Sequence, residues 1–243
     1  MTAATAAHLL AFDTSTESLA LATSGPAGEH FALAAGGAAA SATLLPSIHA
    51  LLAKAGLALH DLQAIAFGQG PGAFTGLRTS CAVAQGLAFG LGCPLLPLDS
   101  LLLVAEDARA QDCTLCDVAV LMDARMNEVY GGRYRWAAGR WQTRVAPALY
   151  TLPAAAALWS ERPDAVAGSA LAAFGERLGL PPGLLRVAQE TARPAALLRL
   201  AQAAFTDGAG IDAALALPLY LRDKVALTIQ EREAARAASA GTQ

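Results

Sequence analysis

The densest group of residues that could do chemistry is Gly68-Gln69-Gly70-Pro71-Gly72-Ala73-Phe74-Thr75-Gly76-Leu77-Arg78. The apolar run 64–68 before it reads as a strand, and 74–90 after it as a helix. Backbone N–H groups at such a junction can hold an anion, and Gly68-x-Gly70-x-x-Ala73 meets the relaxed dinucleotide pattern. Three features oppose that use: the loop follows a late strand, Pro71 removes a donor, and the first strand carries a different signature. No Gly-Lys-Ser/Thr follows, so it is not a Walker loop either. The glycines are read as permitting a tight loop and close helix packing.

Two acids stand at turns after apolar runs. Asp13-Thr14-Ser15-Thr16 follows the first run, and Asp123-Ala124-Arg125-Met126-Asn127-Glu128 follows the run from Asp117. In sugar kinases and actin-like ATPases, an acid with Thr, Ser or Gly at such a turn cradles phosphate and metal. Here no glycine follows Asp13, and bulky side chains fill the second turn, so the backbone cannot approach a phosphate closely. Asp13, Thr14, Ser15 and Asp123 are expected to mark a vestigial nucleotide cleft, and the plain reading of Asp13 is a turn and cap residue.

Hydrolase chemistry has little to stand on. There is no Gly-x-Ser-x-Gly elbow, and His8, His30, His49 and His60 form no HxxxH or HExxH pair. His49, among apolar helix neighbours, is read as structural. Cys113-Thr-Leu-Cys116 has the spacing of half a zinc site or a redox pair. No second CxxC or His pair completes it, so no metal is expected and the four cysteines are read as free buried thiols.

The elements that would position these turns repeat. Strands are expected at 8–13, 18–23 and 28–35. A helix carrying Leu44, Leu45, Ile48, Leu51 and Leu52 follows, with Thr43 as its N-cap so that Pro46 falls in the first turn. After strand 64–68 and helix 74–90 come strand 94–98 and helix 100–109. The second half opens the same way: strand 117–123, a hairpin of 128–136 and 140–146, a short helix 153–160, strand 165–168, and helices including 194–205. Each half reads as three strands and then alternating helix and strand, which implies two α/β lobes facing a cleft. The expected division is 1–105, 106–225 and a flexible tail, 226–243.

Composition sharpens this. The chain is 55% hydrophobic and 15% charged, with net charge −3, so it has no global attraction to nucleic acid. Residues 1–105 hold only two basic residues, Lys54 and Arg78, and five acids. Either an alanine-rich genome or a lobe covered by a partner explains that. The apolar stripe of Leu44, Leu45, Ile48, Leu51 and Leu52 is wide for a solvated helix. On the next helix Gly76, Thr79, Val83, Gly86 and Gly90 form a stripe of small residues that another helix could approach, whether within the lobe or on a partner. Arg133 and Arg135 alternate on one strand face. They form either a small phosphate-binding patch or part of a solvated, ion-paired hairpin. No apolar run is long enough to span a bilayer and the start lacks the basic region of a signal peptide, so a cytoplasmic protein without membrane contact is expected.

Taken together, Leu10-Ala-Phe-Asp-Thr-Ser-Thr-Glu17, Leu44-Leu-Pro46, Phe67 to Arg78, Ala84-Gln-Gly-Leu87, Met122-Asp-Ala-Arg-Met-Asn-Glu-Val-Tyr130 and Pro218-Leu-Tyr-Leu-Arg222 resemble the TsaB (YeaZ-type) family. They occur in the family's order over nearly the whole chain. One departure is Ala40, where members often carry a His. The resemblance implies an α/β, actin-like (ASKHA) fold of duplicated βββαβα lobes. It also implies a non-catalytic subunit of the machinery that transfers threonylcarbamoyl to a tRNA adenosine. Its partners would be the catalytic TsaD paralogue, the TsaE ATPase and a second copy of itself, with tRNA met through the complex; Arg133 and Arg135 are the candidate tRNA contact if their strand face is a phosphate-binding patch and not a solvated hairpin. ATP and metal would sit on the partners, and this chain would need no cofactor of its own. The resemblance places the TsaD and homodimer contacts on the two striped helices. The rival readings are a stand-alone ASKHA-type small-molecule kinase and a glycoprotease-like peptidase.

Overall fold

In the computed structural model, which describes residues 7–222, two five-stranded sheets share one plan. The first contains β1 (Leu9–Asp13), β2 (Ser18–Gly25), β3 (Gly28–Ala35), β4 (Ala64–Gly70) and β5 (Leu95–Asp99), in the order β3-β2-β1-β4-β5. The second contains β6 (Asp117–Asp123), β7 (Glu128–Ala137), β8 (Arg140–Thr151), β9 (Ala165–Ala167) and β10 (Leu185–Val187). Read from β8, its order is β8-β7-β6-β9-β10, the same plan as the first sheet. In each sheet the first strand pairs antiparallel with its successor and parallel with the fourth strand, as the duplicated pattern requires. Asp13 and Asp123 therefore end equivalent strands.

Alternation along β1 and β2 sends side chains to two faces. Leu10, Phe12, Leu19 and Leu21 face α1 (Ala40–Ala55) and α2 (Phe74–Leu91), burying Leu44, Ile48, Leu51, Leu52, Cys81, Ala84 and Ala88. Leu9, Ala11, Ala20 and Ala22 face the other way, onto Leu197, Leu198, Leu200 and Ala201 of α5 (Arg193–Thr206), which follows the short α4 (Ala170–Phe174) in the chain. Small Ala residues on that face let the helix settle close to the sheet. α3 (Ser100–Gln111) lies on the second sheet instead, its Leu101, Val104, Ala105 and Ala108 against Val118, Val120 and Tyr134. The last helix of each half thus packs on the sheet of the other. The expected boundary between residues 105 and 106 falls inside α3, and the expected tail lies outside the described residues.

Polar ties accompany this exchange. Trp141 Nε1 donates to Glu106 of α3 at 2.7 Å, and Arg199 of α5 pairs with the same carboxylate. Asp107 accepts from the backbone of Thr191 and Ala192, at 2.9 and 2.7 Å.

Several local expectations are corrected. Helix α1 begins at Ala40, so Thr43 lies inside it, its hydroxyl donating back to Ala39 O at 3.0 Å, and Pro46 is interior. The missing N–H of Pro46 is on the exposed side, where water can serve the freed carbonyl. The short helix expected at 153–160 is present, as a 3-10 helix over Ala154–Trp159. His49 is exposed, as are Cys113 and Cys116; among the cysteines Cys81 is buried. Among the described residues no helix is long and apolar enough to cross a membrane.

Candidate functional site in the interlobe cleft

A cleft of about 1020 Å³ separates the lobes. Ser15, Glu17, Gly72 and Phe74 line it from the first lobe, and Asp123, Arg125, Met126 and Tyr130 from the second. Glu190, Arg193 and Leu219–Arg222 line it as well.

The first turn is built as a packed unit. Asp13, wholly buried, accepts from Ser15 N at 2.7 Å and Ser15 Oγ at 3.0 Å. Thr14 Oγ1 donates to Gly76 O at 2.6 Å, and Ala73 N donates to Ser15 O at 2.8 Å. The glycine loop wraps this turn. A Cβ on Gly68 would stand 2.3 Å from the Asp13 carboxyl, one on Gly72 2.5 Å from Ser15 O, and one on Gly76 1.8 Å from Thr14 O. The glycines serve the chain's own backbone, as read from the sequence, and Asp13 is the turn residue expected of it.

The second turn is filled. Arg125, Met126 and Asn127 have φ of 66°, 55° and 58°, three consecutive side-chain-bearing residues in the left-handed region. Such residues cost of order 1 kcal/mol each and persist only when their surroundings hold them. Asp123 Oδ1 accepts from Arg125 N at 2.8 Å. Arg222 donates to Ala124 O at 3.1 Å and pairs with Glu128 at 2.6 Å. Across the cleft, Arg125 meets Glu17 at 3.3 Å. The segment carrying Arg222 is also tied to the first lobe. Gln69 Nε2 donates to Leu217 O at 2.9 Å, Leu219 N donates to Gln69 O at 2.8 Å, and Arg78 Nε donates to the Tyr220 hydroxyl at 3.0 Å, with its guanidinium 3.9 Å from the Phe74 ring centre.

The largest departure from the sequence reading is Arg193. It is 6% exposed and reaches Asp13 Oδ2 and Glu190 Oε2, each at 2.5 Å, and Ser15 Oγ at 3.2 Å. Burial alone would lower its pKa, but the Glu190 and Asp13 carboxylates hold it above the ordinary arginine value. Its one signal in the sequence is a cation at the start of a helix, where the dipole disfavours positive charge. The roles of Glu190 and Arg222 were equally unread, although Arg222 ends a stretch that carries the resemblance.

The other candidates separate. Leu44, Ile48, Leu51 and Leu52 are buried in the chain's own core, which accounts for the wide stripe without a partner; Leu45 is exposed. Gly76 is buried against Thr14, while Thr79 and Val83 are half-buried, with Val83 on the core. Gly86 and Gly90 face open space. Beside them Phe89 is 84% exposed, and the nearby segment 213–217, held by Gln85 Nε2 donating to Ala213 O and Ala216 O, exposes Leu215 and Leu217. Arg133 is corrected: it is buried, donating to both carboxylate oxygens of Asp117 at 2.7 and 3.1 Å beneath Leu158 O, whereas Arg135 is exposed. Among the described residues no group of three His, Cys, Asp or Glu is placed to hold a metal ion.

The duplicated sheets, the exchanged helices and the cleft between equivalent acids define a two-lobed α/β protein of the actin-like kind. Comparison with known proteins narrows this. A family model described as "TsaD: tRNA N6-adenosine threonylcarbamoyltransferase" matches residues 36–240. The Escherichia coli (strain K12) "tRNA threonylcarbamoyladenosine biosynthesis protein TsaB" is 33% identical over 230 residues, 90% of this chain and 96% of that one. The Haemophilus influenzae protein of the same name is 45% identical over 91 residues, 36% of each chain. A solved structure described as "YeaZ from Pseudomonas aeruginosa" has a TM-score of 0.79 and 36% identity, covering 88% of this chain and 100% of its own. A second, from the same organism and described as similar to peptidase YEAZ, has a TM-score of 0.80 and 36% identity, covering 89% and 100%. The chain belongs to the TsaB (YeaZ) family.

Proposed function

We propose that this chain is a non-catalytic scaffold subunit of the bacterial system that makes N6-threonylcarbamoyladenosine in tRNA, binding and supporting the catalytic TsaD paralogue. The observation that carries this is an uncharged apolar surface on α2 and its neighbour. After Arg78 the helix has no charged residue to Leu91, and Phe89, Gly86, Gly90, Leu215 and Leu217 lie in the open. Contiguous exposed apolar surface marks an interaction site, and glycines on a helix face let a partner helix approach closely. The filled second turn supports the non-catalytic part, because Arg125, Met126 and Asn127 occupy the place where a phosphate loop would present bare backbone. The same apolar surface serves self-association when TsaD is absent, with TsaE and tRNA joining through the assembled complex in the cytoplasm. ATP and metal belong to the partner subunits.

The test is capture of TsaD from the same organism by the full chain carrying Gly86→Glu or Phe89→Asp. Each places an unpaired charge in the contact and is expected to weaken capture by about 3–5 kcal/mol, the scale of stranding a buried charge. Both positions are open in the single chain, so each variant should still fold as the wild-type monomer does, losing only the concentration-dependent part of its melting temperature that self-association supplies. Val83→Arg is the poorer probe, because Val83 packs on the core. Wild-type capture by both variants would put the TsaD contact elsewhere.

A further inference from the structure

We propose that Arg193 is the resident cation of the interlobe cleft, an internal counter-ion standing where a bound divalent cation would otherwise neutralise Asp13. The argument begins with parity. Leu9, Ala11 and Asp13 share one side of β1, so the acid that ends the strand faces α5. Gly68 lets the carboxyl lie directly on the backbone of β4, out of reach of water. A carboxylate with no exposure must be neutralised by a proton or a cation. The first residue of α5 supplies the cation. Arg193 lines the cleft and Asp13 does not, so the guanidinium stands between the acid and the open space.

The surroundings of Arg193 are those of a hard cation. The Asp13 and Glu190 carboxylates and the Ser15 hydroxyl converge on it, an all-oxygen set. Its two terminal nitrogens are engaged by these groups, and Nε is buried with no partner. A guanidinium keeps its charge at every physiological pH, so the corner is permanently occupied. The inner end of the cleft then offers no free carboxylate to a metal and no free terminal nitrogen to a phosphate. This inference is separate from the TsaD reading, because α5 covers one face of the first sheet and α1 and α2 cover the other.

The experiment uses the full chain and Mn²⁺ alone as the probe, followed by electron paramagnetic resonance. Arg193→Ala should bind one Mn²⁺ at least about tenfold more tightly than the wild type, a step of one decade in Kd. The gain should vanish in Asp13→Asn/Arg193→Ala. Mn²⁺ should raise the melting temperature of Arg193→Ala and leave those of the wild type and the double variant unchanged. If Arg193→Ala folds only with millimolar Mn²⁺, while the neutral double variant folds without it, the proposal is supported by a second route. Binding no tighter than wild type, tight binding that survives Asp13→Asn, or an Arg193→Ala chain that stays unfolded with Mn²⁺ present would each overturn it. TsaD capture is read on the other face and would stand or fall independently.

Discussion

Tyr134 is wholly buried, and its hydroxyl is received by a single carboxylate that is itself partly exposed. Its oxygen donates to Asp99 Oδ2 at 2.5 Å, while Asp99 Oδ1 caps α3 by accepting from Leu101 N at 2.8 Å. One acid at the end of β5 therefore holds both the helix start and a strand of the other lobe. Burial pushes the Asp99 pKa above its ordinary value, and the hydrogen bonds from Tyr134 and Leu101 offset this only in part. Burial, then the Asp99 charge, pushes the Tyr134 hydroxyl well above the usual phenol range. Tyr134→Phe should cost about 1–3 kcal/mol in urea denaturation at neutral pH, because the half-buried carboxylate loses a donor. Asp99→Asn should cost less, since the amide can donate to the tyrosine oxygen and the half-buried charge is gone. The pH dependence has a definite sign. Folded Asp99 takes up its proton before the unfolded chain does, so wild-type stability relative to Asp99→Asn should rise as pH falls through the raised pKa toward the ordinary value of 3.8. A gap that moves in favour of Asp99→Asn on acidification would contradict the raised pKa.

Helix α2 shows how residues of one type on one stripe come to do different work. Gly76 sits where the turn 13–15 crosses the helix start, and the Thr14 carbonyl leaves no space for a methyl group. Ten residues later the helix has run beyond that cover, and Gly86 meets nothing within 4 Å. Gly76→Ala should destabilise by about 3 kcal/mol or more, because backbone meets backbone and neither can rotate away. Gly86→Ala should stabilise the free chain by roughly 0.5–1 kcal/mol, the helix-propensity gain at an open site. Thermal unfolding of the two variants side by side checks both signs; equal losses would mean that Gly86 is also packed within the chain. The spacing of the glycines revealed the stripe but could not reveal this division, because periodicity reports a helix face and not what covers it. The same limit applies to α1, whose leucines were legible as a buried face but not as one buried in their own lobe. Strand β10 escaped notice because Leu185–Val187 is too short to show alternation.

At the scale of the whole molecule the duplication was legible, since an apolar run ending in Asp13 and another ending in Asp123 open matching series of elements. The exchange of α3 and α5 was not, nor was the pairing of Asp13 with a residue 180 positions away, because sequence spacing carries no signal for contacts made by folding the halves together. Charge placement shows the same limit. Arg133 and Arg135 share a face of β7, as read from alternation, but the segment carrying Leu158 and the Asp117 carboxylate close over the first and leave the second in water. The chain's net charge is −3, and its first lobe is nearly free of basic residues, so the isolated protein should hold tRNA weakly. The exposed arginines of the β7–β8 hairpin, Arg135, Arg140 and Arg144, are the basic group whose contact with tRNA within a complex can be tested most directly. Arg135→Ala/Arg140→Ala should leave folding intact and lower the salt dependence of tRNA binding by the complex by about one to two in slope, roughly one per lost phosphate contact. Arg133→Ala should do the opposite. It strands Asp117 and costs about 2–3 kcal/mol of stability, while the salt slope of the folded fraction stays where it was. If the slope is unchanged in Arg135→Ala/Arg140→Ala, the hairpin is a solvated face and takes no part in holding tRNA.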